Sequence, residues 1–168
     1  MSQLMIFGAG YSGKAIAKSL QDSMDRVCGT TRSADQADKL QSLGITPFIF
    51  DGEMLNDDLC AALSTVTHLV QSIAPGKTGD PLLRLCGGDL QSLMPQLKWA
   101  AYLSTVGVYG NHDGAWVDEQ TSCKPVSARS LERVEAEQAW IKAANEASVP
   151  LCIPVSYTHL RAHETVLD

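Results

Sequence analysis

Apolar residues in this chain fall into short continuous runs separated by stretches of helical spacing. Gln3 to Phe7 is one such run and stops at Gly8, the pattern of a strand buried on both faces. Ser12 to Leu20 then places Ala15, Ile16, Ala17 and Leu20 at helical intervals. The alternation repeats: strands are predicted at Arg26 to Thr30, Ile45 to Phe50, Thr67 to Ser72, Trp99 to Thr105 and from Pro150 to Ile153. Helices are predicted over Ala34 to Leu43, stopped by Gly44, and over Asn56 to Leu63. Asp80-Pro81 pairs a cap with a first-turn proline ahead of a helix from Leu82 to Leu93, which Gly87-Gly88 weakens. The longest predicted helix runs from Ser127 to Ala147. Strands and helices alternating at this spacing predict βαβ units and a parallel sheet, an α/β fold.

The turn after the first strand carries the first chemistry. Gly8-Ala9-Gly10-Tyr11-Ser12-Gly13 is G-x-G-x-x-G, set between a strand and a helix as the motif requires. Gly8 permits the tight turn, Gly10 lets backbone approach a diphosphate, and Gly13 lets the helix pack against the sheet. The helix start, with Ser12 in its first turn, offers N–H groups and a partial positive charge to phosphate. Tyr11 is read as a cover over a dinucleotide or as an exposed side chain. A doubly wound, Rossmann-type parallel sheet is the fold this predicts.

The end of the second strand sets the cofactor. An acidic residue there would bond a ribose 2′-hydroxyl and repel a 2′-phosphate. Thr30-Thr31-Arg32-Ser33 stands in its place. Arg32 can pair with a 2′-phosphate while Thr31 or Ser33 donates to it, so NADP is expected in preference to NAD. The alternative for Arg32 is a solvated surface charge. Asp51 is either an acceptor for the adenine amine or a turn residue before Gly52. Ser72 and Ala74, leaving the fourth strand, complete the cofactor set.

Tyr102-Leu103-Ser104-Thr105-Val106-Gly107-Val108-Tyr109-Gly110, with Trp116-Val117-Asp118-Glu119 and Pro125 beyond, resembles the extended short-chain dehydrogenase/reductase superfamily of the NAD-dependent epimerase/dehydratase type. The match is closest to an atypical bacterial branch and covers about residues 1 to 153. The resemblance implies that Thr105, four residues before Tyr109, is the hydroxyl that bonds a substrate carbonyl or carbinol. It also implies a Tyr-x-x-x-Lys pair, and those two positions hold Arg129 and Arg133. Arginine stays protonated, so Arg129 cannot act as an ordinary general acid or base. Spaced i, i+4, the two guanidinium groups share a helix face. They suit clamping a substrate anion or the cofactor ribose, or else they are exposed charges paired with Glu132, Glu135 or Glu137. Tyr109 and His112 are substitute acids by position; the plainer readings are a tyrosine packed under the loop and a turn histidine. The expected chemistry is hydride transfer on a small carbonyl or sugar-nucleotide-like substrate. The alternative is a non-catalytic NADP(H)-binding sensor or scaffold module.

From Pro154 the character changes. Val155-Ser156-Tyr157-Thr158-His159-Leu160-Arg161-Ala162-His163-Glu164-Thr165 reads like a translated sequencing adaptor, so 154–168 is expected to be a non-native tail on a nucleotide-binding domain incomplete at its C-terminus. His159, His163 and Glu164 are too few donors to argue a metal site.

Composition narrows the partners. The 168 residues suit about one domain. Nineteen acidic against 13 basic residues give a net charge of -6, which disfavours nucleic acid. No apolar run approaches a membrane span, and no basic leader precedes the first strand. Five widely spaced cysteines without a C-x-x-C are expected to be reduced thiols in a cytoplasmic protein. By analogy with the superfamily, the long helix at 127–147 is a candidate homodimer surface.

Overall fold

A computed structural model describes residues 1–156. β1 (Gln3–Phe7) is buried at all its positions, as a central parallel strand must be. It lies between β2 (Arg26–Thr31) and β4 (His68–Gln71), and both pairings are parallel. β3 (Thr46–Ile49) flanks β2, while β5 (Trp99–Tyr102) and then β7 (Leu151–Cys152) extend the other side. The order is β3-β2-β1-β4-β5-β7, with the direction of winding reversing between β1 and β4. A doubly wound sheet opens a crevice at that switch point, beyond the carboxyl ends of the strands.

The side chains of β1 point alternately into two cores. Leu4 and Ile6 join Ala17 of α1 (Tyr11–Leu20) and Leu40 of α2 (Ala34–Ser42). Met5 and Phe7 join Leu59 and Leu63 of α3 (Asp57–Leu63), with Leu82 of α4 (Pro81–Leu85) and Leu90 of α5 (Leu90–Leu93). Trp140 and Ala143 of α6 (Ala128–Glu146) close that second layer. Trp140 is fully buried and stacks on Tyr102, with ring centroids 6.0 Å apart.

Two predicted elements are divided. The helix expected over Leu82 to Leu93 is α4 and α5, because Gly87 and Gly88 take φ values of +61° and +82° and turn the chain between them. The strand expected over Trp99 to Thr105 leaves the sheet after Tyr102. Leu103 N–H donates to Gln71 O at 2.9 Å, and Ser104 N–H reaches Pro154 O at 2.9 Å instead. Ser104–Thr105 is thus a separate strand, β6, paired with β8 (Val155–Ser156). The first residues of the segment expected to be foreign, Pro154–Ser156, therefore run along β6. His159, His163 and Glu164 lie outside the described residues.

Candidate functional site

The glycine turn is built by three different demands. Gly8 has φ +81°, and a Cβ on it would meet Ile73 Cγ1 at 2.9 Å. Its N–H donates to the buried Thr30 hydroxyl at 2.9 Å, tying the turn to β2. A Cβ on Gly13 would meet Gly8 O at 3.0 Å and Ile6 Cγ2 at 3.1 Å, so close packing of α1 on β1 needs glycine there. Gly10 differs: the nearest atom to a Cβ would be Gly8 O, 4.0 Å away. The protein's own packing does not require Gly10, and a Cβ would only occupy open space beside the start of α1. No acidic side chain and no side-chain cap occupies the first turn of that helix. This is a cradle suited to phosphate.

The cradle opens into a cleft of about 760 Å³, a size that suits a cofactor. Gly8, Ala9, Gly10 and Lys14 form its floor, while Thr30, Thr31, Arg32 and Gln36 form the β2 side. Phe50, Asp51, Gly52 and Glu53 follow β3; Ile73, Ala74, Gly76, Thr78, Gly79, Pro81 and Arg84 form the opposite wall. Arg32 is exposed and has no hydrogen-bond or ion-pair partner among the described residues. Arg84, by contrast, donates to Gly52 O at 2.6 Å and lies 3.9 Å from Glu53. Asp51 accepts from Glu53 N–H at 2.9 Å through one carboxylate oxygen, an Asx turn.

Of the residues expected at the cofactor, Gly8, Gly10, Thr31, Arg32, Asp51 and Ala74 line this cleft. Gly13 lies behind it as a packing residue. Tyr11, 81% exposed, Ser12, Ser33 and Ser72 are not among its lining residues. Ser72 lies beside the floor and donates its backbone N–H to Phe7 O at 2.9 Å. Sequence reasoning missed Lys14, Thr30, Gln36, Ile73 and Arg84. Lys14 had a local signal, since it follows Gly13 directly. Ile73 and Arg84 had none, because only the crossover from β4 into α4 brings them to β1.

The region beyond β5 is organised differently. Thr105 is half-buried at the start of the one-turn 3₁₀ helix Val106–Val108. Tyr109 follows it, and burial followed by negative neighbours pushes its hydroxyl pKa up, so it holds its proton at neutral pH. Arg129 and Arg133 do not act as a pair. Arg129 is exposed, with no partner among the described residues. Arg133 turns inward, donating to Tyr102 Oη at 3.2 Å and Leu103 O at 3.0 Å, with its guanidinium carbon 5.6 Å from the Tyr102 ring centroid. Neither makes the ion pair with Glu132, Glu135 or Glu137 that was the alternative reading. Glu137 instead accepts from the buried Ser104 hydroxyl. The i, i+4 face from Arg133 to Glu137 meets the ends of β5 and β6, so both side chains find partners on the strands. Tyr102, fully buried, has its pKa pushed to about 12 by desolvation. His112 is half-buried, and its Nε2 lacks a partner among the described residues.

The described residues include no group of three or more His, Cys, Asp or Glu placed to hold a metal ion, and no helix long and apolar enough to cross a membrane.

No family model and no curated protein matches the sequence. Solved structures do. A functionally unknown conserved protein from Silicibacter pomeroyi, 38% identical, superposes with a TM-score of 0.76 over 91% of this chain and 52% of its own. UDP-glucuronic acid 4-epimerase from Bacillus cereus, in complex with NAD, is 22% identical with a TM-score of 0.71, over 93% of this chain and 56% of its own. dTDP-glucose 4,6-dehydratase from Bacillus anthracis, also with NAD, is 16% identical with a TM-score of 0.69, over 92% and 54%. The chain spans about half the length of the structures it matches. Its sheet order, its glycine turn at the switch point and these superpositions agree on the fold: a doubly wound, Rossmann-type parallel sheet, shared with structures of the epimerase and dehydratase type.

Proposed function

We propose that this chain binds NADP through the cleft at the β1–β4 switch point and serves an oxidoreductase of the epimerase/dehydratase type. The single observation that carries the cofactor reading is Arg32. It stands where a carboxylate would select NAD, it lines the same cleft as Gly8 and Gly10, and its charge is uncommitted within the described chain. Gly10 supports the site as well, because the space beside it, with Gly8 O 4.0 Å from where a Cβ would stand, is open to a ligand. The epimerase and dehydratase neighbours are seen with NAD, which supports a nicotinamide cofactor and leaves the 2′-phosphate preference to Arg32. Thr31 would add a hydroxyl donor beside Arg32, and Asp51 keeps one carboxylate oxygen for the adenine amine.

When bound, the cofactor supplies the hydride chemistry, and the chain supplies position and electrostatics. Thr105 orients the oxygen of a small carbonyl or sugar-nucleotide-like substrate. Tyr109, four residues beyond Thr105 and protonated at neutral pH, is the candidate acid for that oxygen. Arg129 remains available to an anionic group, while Arg133 serves Tyr102 and the β5 end. The test is fluorescence titration of the chain with NADPH and NADH. Binding of NADPH at least tenfold tighter than NADH is expected, and no binding of either up to millimolar concentration would refute the reading.

A second reading is favoured by Arg129 and Arg133 together. With the lysine position turned inward and arginine at the tyrosine position, no proton relay of the superfamily's usual kind remains. A non-catalytic NADP(H)-binding sensor or scaffold follows from that. NADPH binding without oxidation across a broad carbonyl panel would select it over the enzyme. Leu131 and Ile141, exposed on α6, suit the expected homodimer surface, which sedimentation would test.

A further inference from the structure

β4 leaves the sheet at Gln71, whose side chain is fully buried. Its Nε2 donates to both carboxylate oxygens of Asp80, at 3.1 and 2.9 Å, and its Oε1 accepts from Ile73 N–H at 3.0 Å. Asp80, also buried, accepts in addition from Leu82 and Leu83 N–H at 2.9 and 3.0 Å, capping α4. The indole of Trp140 approaches the same carboxylate without closing a well-formed hydrogen bond. No cation pairs with Asp80 among the described residues. The excursion over 72–80 therefore starts and finishes on one amide–carboxylate buckle. A second tie crosses it, where Gly76 and Gly79 exchange backbone hydrogen bonds at 3.2 and 2.9 Å.

This strap is a wall of the cleft, contributing Ile73, Ala74, Gly76, Thr78 and Gly79. It is also pressed against the phosphate cradle, since Ile73 fills the space a Gly8 side chain would need. A buried carboxylate without a cation is a costly way to hold a loop, and a fully satisfied polar network fixes one geometry where apolar packing tolerates several.

We propose that Gln71 and Asp80 are positioning residues for the dinucleotide. They lock the strap against the glycine turn and so fix the wall beside the diphosphate and the half of the ligand beyond it, while the adenosine end at Arg32 is held independently. The inference rests on the cofactor reading above. Its test compares NADPH with adenosine 2′,5′-bisphosphate, which carries the 2′-phosphate but lacks the second bridging phosphate and everything beyond it. Asp80→Asn keeps an acceptor for the α4 N–H groups and turns an amide toward the Gln71 amide. It is expected to weaken NADPH about tenfold while changing bisphosphate affinity less than twofold, the loss typical of one charged hydrogen bond. The double variant Gln71→Glu/Asp80→Asn reverses donor and acceptor across the buckle, and should recover NADPH affinity to within about threefold of the parent. Gln71→Met, which removes the tie without a new polar group, should repeat the selective loss. Equal losses for both ligands, no loss of NADPH, or no recovery in the double variant would overturn the proposal. If the parent chain binds bisphosphate and NADPH but these patterns fail, the cofactor reading stands and only the strap falls. A parent chain that binds no dinucleotide ends both.

Discussion

The two halves of the sheet treat their polar residues in opposite ways. Around β1, β2 and β4, the cleft keeps its chemistry facing outward: Arg32 has no partner within the described chain, and Gly10 leaves open a space that packing does not claim. Around β5, β6 and α6, the chain satisfies itself. Arg133 bonds Tyr102 and Leu103, and Glu137 takes the Ser104 hydroxyl. The difference teaches that one sheet can leave the polar groups at one of its ends open while closing those at another on themselves. The glycine turn is made by backbone shape, which survives as long as β1 and α1 meet closely. Side-chain direction on α6 is decided by what each position meets: Arg133 turns into the structure and Arg129, one turn earlier, stays in solvent.

The contrast can be broken by experiment, and the largest effect belongs to the closed half. Trp140→Ala should cost about 3–5 kcal/mol of unfolding free energy, since it empties a fully buried aromatic site beneath Tyr102; chemical denaturation measures it. Next comes alkaline pH. Below pH 10 the Tyr102 hydroxyl is protonated in both folded and unfolded chains. Above it the unfolded chain releases the proton, while the folded one holds it up to about 12, so stability falls as pH rises through that window. The loss should approach about 3 kcal/mol, and Tyr102→Phe should be flat by comparison over the same range. A parent stability that does not decline there faster than the variant's would refute the burial argument.

In the open half, substitutions at Gly10 and Arg32 should move binding and spare the fold. Gly10→Ala is expected to lower NADPH affinity at least tenfold, about 1.4 kcal/mol, with little change in thermal midpoint. Gly13→Ala should do the reverse in order of cause, loosening α1 on β1 first, and scanning calorimetry with parallel titration separates the two. Arg32→Ala should cost NADPH about tenfold and NADH less than twofold, by the worth of one solvent-facing charged contact. The smallest effect is reserved for Arg129→Ala, within about 0.5 kcal/mol of parent stability because the side chain is exposed and unpaired among the described residues. A larger loss would show that the closed half extends further along α6 than the contacts indicate.

Much of this was legible along the chain. Apolar runs and glycine stops name the strands of the main sheet, most plainly the central β1, which is buried at every position and apolar from Leu4 to Phe7. G-x-G-x-x-G between strand and helix places the cradle, and the missing carboxylate after β2 points to Arg32. Residues at breaks were harder. Leu103 sits in an apolar run with β propensity, yet the chain departs from the sheet beside it when Ser104 finds Pro154 instead.

Sequence alone therefore determined the alternation of elements and the glycine turn between β1 and α1, since each depends on residues close together in the chain. Tertiary structure alone decided that Arg133 bonds inward, that Glu137 meets Ser104, and that Gln71 and Asp80 buckle the strap beside the cradle. Those partners come from different elements, and side chains of the same type stay solvated or become structural according to which neighbour the winding of the sheet delivers.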